Sequence, residues 1–279
     1  MARLTKSDIL RAATSFLDES SENYLSKELA LRPDLAGMRI FDSPLMAVAD
    51  AGDPIFVLLQ SVDAVGHLFM LPETWLPGAR SVISFFLPFT STIIDANRNE
   101  PIETPPEWLH GRIEGQTALN AMTISIRKLL EDAGFVSLIP SMDERFKAGL
   151  KESAQGATGH PGYTSAWSER HVAYVCGLGT FGLSRGLITK RGMAGRFGSI
   201  VTTLPLEPDA RPYSHYDEYC TMCGECAPRC PVDAIDVRKG KDMAACAAYQ
   251  QECMKKYAPR YGCGKCSVGV PCTSSIPVT

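Results

Sequence analysis

"YCTMCGECAPRCPVDAID" (219–236) sets cysteines at 220, 223, 226 and 230, with Pro231 directly after the last. The spacing is C-x2-C-x2-C-x3-C-P. Short gaps let one tight loop wrap three corners of a small cube, with backbone N–H groups turned toward its sulfur atoms. The fourth cysteine is carried away by the next turn, and Pro231 fixes φ at that exit. This run is the bacterial pattern for [4Fe–4S] clusters, in which the fourth cysteine serves a second cluster. Structural zinc is the competing reading. Zinc sites usually set two C-x2-C pairs across a longer spacer, without the triple run and its C-P end.

Ten cysteines occur in the 279 residues, and nine of them lie between Cys220 and Cys272. Crowded thiols in a cytosolic chain point to metal more than to disulfides. "YGCGKCSVGVPC" (261–272) holds another C-x2-C and then Cys272. In a ferredoxin-like pseudo-twofold arrangement each motif lends its last cysteine to the other's cluster. Cys220, Cys223, Cys226 and Cys272 then form the first set. Cys230, Cys263 and Cys266 form the second, with one of Cys246 or Cys253. The second motif departs from the ideal, because Pro271 precedes its last cysteine and its spacer is longer. Cys176 stands apart and reads as a small buried apolar residue.

The residues before this region read as one mixed α/β body. The hydrophobic share is 45%, the charged share 21% and the formal net charge -3. Those values suit a soluble globular protein and give no electrostatic case for nucleic acid or an anionic membrane. No apolar run reaches the length of a membrane helix. The N-terminal stretch lacks a signal-peptide pattern, so a cytoplasmic protein is expected. That stretch is instead an amphipathic helix with Ile9, Leu10, Ala13, Phe16 and Leu17 on one face. "PIFVLLQSV" (54–62), "ARSVISFFLPF" (79–89) and "GRFGSIVTTLPL" (195–206) suit buried strands, with Pro88 at the end of the second. Residues 115–135 have helical spacing at Leu119, Met122, Ile126, Leu129 and Leu130, with Gly134 as the stop. "NRNEPIETPPEWLHG" (97–111) reads as a surface loop. A compositional shift near 207–219 divides the chain into a body, 1–215, and an iron–sulfur module, 216–279. The module is short of apolar runs, so metal–thiolate bonds must supply much of its stability.

Several stretches together resemble the epoxyqueuosine reductases and, more distantly, the reductive dehalogenases. They are "LPGARSVISF" (76–85), "SERHVAYVCGLGTFG" (168–182), "GRFGSIVTTLPLEPD" (195–209), the cysteine run with its "VDAID", and "KDMAACAAYQQEC" (241–253). The resemblance spans roughly residues 70–272. It implies an α+β fold, with a nitroreductase-like α/β body followed by a ferredoxin-like module holding two [4Fe–4S] clusters. It also implies a cobalamin in the body, supplied with electrons by the clusters. Cys246 matches the family's isolated cluster ligand, which makes the second set Cys230, Cys246, Cys263 and Cys266. Gly177, Gly179 and Gly182 in "CGLGTFG" would let backbone approach a large planar cofactor. A tight turn with no ligand is the plainer reading, and the same glycines match a dinucleotide pattern only weakly. FMN is the alternative cofactor.

The departures from the family also carry expectations. An acid precedes the Glu-Arg pair in epoxyqueuosine reductases, whereas Thr164 stands here, and a threonine is a poor general acid. Tyr163 is the other candidate donor. Glu169 and Arg170 read as a structural ion pair or as a cofactor contact, and His171 as a satisfied, partly buried histidine. The helical-repeat domain that grips tRNA has no counterpart after Cys272, so reduction of epoxyqueuosine itself is not expected. An export signal, usual for dehalogenases, is also missing. The expected protein is a cytoplasmic, oxygen-sensitive oxidoreductase that takes electrons from a ferredoxin- or flavodoxin-type partner and acts on a small molecule. An electron carrier with no substrate of its own is the rival class.

Overall fold

The computed structural model describes residues 4–150 and 163–278. The body opens with α1 (Lys6–Glu19), β1 (Leu45–Asp50), α2 (Pro54–Leu58), α3 (Pro72–Trp75), β2 (Ser81–Pro88), α4 (Ser91–Asn99) and α5 (Pro106–Asp132). It continues with β3 (Ser137–Leu138), β4 (Ala148–Leu150), β5 (Tyr163–Ser165), α6 (Glu169–Cys176), β6 (Gly179–Phe181), β7 (Leu187–Thr189) and β8 (Gly195–Thr202). β9 (Ile235–Asp236), β10 (Gly240–Lys241) and α7 (Met243–Tyr257) belong to the cysteine-rich region.

Four strands form the main sheet in the order β1-β2-β8-β3, every neighbouring pair antiparallel. β2 is buried along its whole length. Its side chains alternate between two cores, as period-two geometry demands. Ile83, Phe85 and Leu87 meet α1, α4 and α5 through Ile9, Leu17, Ile93, Leu119 and Met122. Val82 and Phe86 meet α2, α3, α6 and the turn before α6 through Phe56, Trp75, Val172, Val175 and Trp167. The sheet is therefore covered by helices on both faces. This explains why its central strand reads as a continuous apolar run although it is antiparallel.

α1 is closed by a reciprocal capping box between Thr5 and Asp8 and buries Ile9, Ala13 and Leu17, the expected face. α5 ends at Ala133, and Gly134 follows at φ +90°, where only glycine is unstrained. Two expectations need correction. Residues 54–62 are not a strand. Asp53 accepts the Ile55 N–H at 2.9 Å and Pro54 opens the short helix α2. Phe56 and Leu59 turn inward with Ile55 packed beside them, while Val57 and Leu58 stay exposed. The stretch 97–111 is a loop only in its middle. α4 runs to Asn99 and α5 begins at Pro106, which sits at a first-turn position where its missing N–H costs nothing. Trp108, Leu109 and His110 of that stretch are buried.

The segment beyond β8 is irregular and tied to the body. Arg211 donates to Asp53 at 2.6 Å and to the Val175 carbonyl at 2.9 Å. Tyr219 N–H donates to Thr180 Oγ1 at 2.8 Å. The cysteine-rich region rests on α4 and the turn before α5. Asn97 Nδ2 donates to the Cys263 carbonyl at 2.9 Å, and Thr104 Oγ1 to the Gly262 carbonyl at 2.7 Å. Among the described residues no helix is long and apolar enough to cross a membrane.

Candidate iron–sulfur centre

Cys220, Cys223, Cys226 and Cys272 line one small pocket, together with Gly182, Leu183, Ser184, Val270 and Pro271. The loop curls because Met222 and Gly224 take φ values of +52° and +80°. A methionine rarely adopts that region, so the turn is held against a conformational cost. The Leu183 N–H points at Cys220 Sγ from 3.4 Å. Such a donor stabilises a negatively charged sulfur. Cys272 reaches the same pocket from the C-terminal end of the cysteine-rich region.

Burial pushes the Cys226 thiol up to about 11 and the Cys272 thiol up to about 12, with neighbouring thiols adding to both shifts. Thiols that resist ionisation alone but face one another suit a cation that neutralises several at once. Among the described residues no three His, Cys, Asp or Glu side chains converge as ligands of a single metal ion. The first set instead surrounds a volume, and a cube with four separate corners fits that donor set.

The second set is more dispersed. Cys230 Sγ accepts the Ala234 N–H at 3.2 Å. Cys230 and Cys266 pack beside Cys226 and Cys272 around a small apolar cluster of Met193, Ile235 and Val270. The two sets are thus contiguous. Cys263 is buried and held up to about 12 by that burial, with the Cys266 and Cys253 thiols beside it. Cys246 and Cys253 lie seven residues apart on α7, hence on one face. Cys246 shares Lys241 with Cys266. Cys253 is buried between Tyr249 and Thr104.

The glycines of "CGLGTFG" serve the protein's own backbone. Gly177 caps α6 in the left-handed region at φ +96°. A Cβ on Gly179 would lie 1.9 Å from the Ile188 carbonyl oxygen across the β6–β7 pair, and one on Gly182 would touch the Ile188 side chain at 3.2 Å. Of the three, only Gly182 borders the cysteine cavity. The turn runs from helix to strand, with no helix after it, which leaves the dinucleotide pattern without its structural context.

Tyr163 opens β5 opposite Leu150, and its side chain is outside the described residues, as is His160. Thr164 is buried, and its hydroxyl has no hydrogen-bond partner. Glu169 and Arg170 turn apart. Arg170 donates to the Arg185 carbonyl at 2.8 Å, and Glu169 Oε2 accepts from Ser199 Oγ at 2.7 Å. Ser199 also accepts from Trp167 Nε1 at 2.8 Å. Glu169 Oε1 is shielded from solvent and unpartnered. Burial raises this carboxyl to about 7, against the two serines Ser199 and Ser141 that pull it down. Such a carboxyl is suited to hold and release a proton at neutral pH. His171 is satisfied, with Ser168 Oγ 2.7 Å from its Nδ1 and Phe181 packed beside the ring. Cys176 is fully buried and pushed far up by that burial, an inert thiol facing the Val82 carbonyl.

The sequence reading missed Arg196. It sits on β8, and its Nε and Nη1 are shielded with no partner, while Nη2 donates to Gln116. Burial and then the neighbouring Arg112 lower it to about 9. Arg112 lies 4.9 Å over the Tyr261 ring, two residues before Cys263. The available signal was an arginine inside the otherwise apolar strand "GRFGSIV".

A family model described as a 4Fe-4S binding domain matches residues 213–236. No curated protein matches the sequence. Several solved structures do align over nearly all of it. An epoxyqueuosine reductase crystallised with an epoxyqueuosine-modified tRNA-Tyr stem loop matches with a TM-score of 0.52 at 17% identity, covering 98% of this chain. A catabolic reductive dehalogenase in complex with 3-bromo-4-hydroxybenzoic acid matches at 0.53 and 12%, again over 98%. The chain has the fold of these two enzyme groups. It spans 66% of the epoxyqueuosine reductase and 37% of the dehalogenase.

Proposed function

We propose that this chain is a reductase that carries electrons through two [4Fe–4S] clusters to a corrinoid held by residues 1–215, for reduction of a small substrate. Cys220, Cys223, Cys226 and Cys272 would hold the first cluster. Cys230, Cys246, Cys263 and Cys266 would hold the second. The observation that carries this reading is the single cavity lined by all four cysteines of the first set, with the Leu183 N–H aimed at one of them. Contact between the two sets through Met193, Ile235 and Val270 supports a relay, since electrons must pass between close centres. The corrinoid is what the sequence resemblance to epoxyqueuosine reductases and reductive dehalogenases implies, and a reductive dehalogenase shares the fold. When bound, a corrinoid supplies a low-valent metal able to reduce an unreactive bond, and an iron–sulfur cluster supplies one-electron steps.

The chain's own residues would then deliver protons and hold the substrate. Glu169, held near neutrality by burial, is the proton donor of this reading, in place of Thr164. Arg196 and Arg112, adjacent cations with shielded and unpartnered N–H groups, would receive an acidic group. A ferredoxin- or flavodoxin-type protein would be the electron donor.

The second reading is an electron carrier with no substrate of its own. It is favoured by the "CGLGTFG" glycines, which close against Ile188 rather than onto open space. Cobalt content and the absorption spectrum after anaerobic incubation with cobalamin separate the two. About one cobalt per chain retained through gel filtration supports the reductase. Retained iron with no cobalt and no flavin absorption leaves the carrier.

A further inference from the structure

Lys241 closes β10 at the seam between the two cysteine sets. Its Nζ donates to the Ser184 carbonyl at 3.1 Å and lies 3.8 Å from Cys266 Sγ. Cys246 is within its hydrogen-bonding reach. Ser184 in turn lines the cavity of Cys220, Cys223, Cys226 and Cys272. The donors of this cation thus go to a carbonyl and to sulfur rather than to a carboxylate. Lys265, which is fully buried, bonds through Nζ to Asn97 Oδ1 at 2.9 Å and to the Glu100 carbonyl rather than to a sulfur, while its charge still acts on Cys263. At the first set, Cys220 Sγ meets the Leu183 N–H at 3.4 Å and the Met222 thioether at 3.8 Å, a dipole and a neutral sulfur rather than a charge.

Reduction of a cluster adds one negative charge. A fixed cation about 4 Å from a ligand sulfur favours the reduced form, and shielding from solvent keeps that effect from being screened away. We propose that Lys241 raises the reduction potential of the cluster assigned to Cys230, Cys246, Cys263 and Cys266 above that of its neighbour. This inference rests on the two-cluster reading. Cys223 is the exposed member of the first set. A low-potential one-electron donor docking there would reduce the first cluster. That cluster is reoxidised as its electron passes to the second, and the fixed charge makes the passage downhill.

The test is a redox titration followed by electron paramagnetic resonance, on the full chain loaded with iron without oxygen. Lys241→Met removes the charge and keeps the stem, Lys241→Gln is a milder second variant, and Lys241→Arg keeps the charge. The expected result in the first two is about a tenfold loss in the reduction equilibrium of one cluster, about 59 mV for one electron, with the other unmoved. Lys241→Arg should restore it. Two unmoved midpoints at full iron content overturn the inference, as does an arginine variant that behaves like methionine. A wild-type count near four irons per chain breaks the two-cluster reading itself, and so is told apart from a failure of Lys241 alone.

Discussion

The body and the cysteine region keep their shape by different means. In the body, β2 is buried on both faces, and two apolar cores lock it between α1, α5 and α6. In the cysteine region the buried apolar cluster is Met193, Cys226, Ile235 and Val270, and the strands are two residues long. Val268 alone reaches into the larger core. Hydrophobic burial suffices for the first region. The second has thiols where a core would be, and must take its stability from whatever those thiols bind. The proposed function would follow the same division: β8 holds Arg196 and, through Ser199, Glu169 of α6, and the cysteine-rich region would carry the electrons.

The largest effect should come from removing a ligand. Cys223→Ser should lose about half the iron and open the cysteine region while leaving the sheet intact. Hydrogen exchange reads this directly, with amides of α7 unprotected and those of β2 and β8 still slow. Loss of protection in β2 as well would show that the two regions are one cooperative unit. The converse probe is Ile83→Ala, in the middle of β2. It should cost roughly 2–5 kcal/mol in denaturant unfolding of the sheet, because the void cannot collapse between two helical layers. Cluster absorption in the folded fraction should not change.

Glu169→Gln is smaller and depends on pH. Burial lifts this carboxyl from the usual 4.5 to about 7. The folded state therefore holds its proton longer than the unfolded state does. Its contribution is fully present below about 4.5 and is lost as pH rises through 7. Wild type should be less stable than the glutamine variant at pH 8, by up to about 3 kcal/mol, and the difference should close by pH 4. A constant difference across that range would place the carboxyl in contact with water. The smallest effect is Cys253→Ser, which should leave the iron count unchanged, whereas Cys246→Ser should lower it. The reverse pattern would move the second set from one turn of α7 to another.

The cysteine motif was legible for physical reasons. The cysteine spacing is local, so a loop and its ligands can be read together, and Cys220, Cys223 and Cys226 do face one cavity. α1 and α5 were legible because their apolar residues recur with the helical period. Residues 54–62 were not, because a short apolar run has no period, and Asp53 with Pro54 decides in favour of a helix. Proline had two meanings in 97–111: it breaks the chain at 101 and starts α5 at 106. The function of "CGLGTFG" depended on what its glycines meet, and Ile188 lies across a strand pair that no local pattern announces. Arg196 was invisible for the same reason. Its isolation is a property of three elements brought together, β8, α5 and the loop before Cys263.

The measurement that bears most directly on the central claim is Mössbauer spectroscopy with an iron count, on the full chain purified without oxygen. The account predicts about eight irons per chain in two [4Fe–4S] clusters. Zinc in place of iron, or a single cluster of about four irons with Cys230 and Cys266 still reactive toward a thiol reagent, would contradict it.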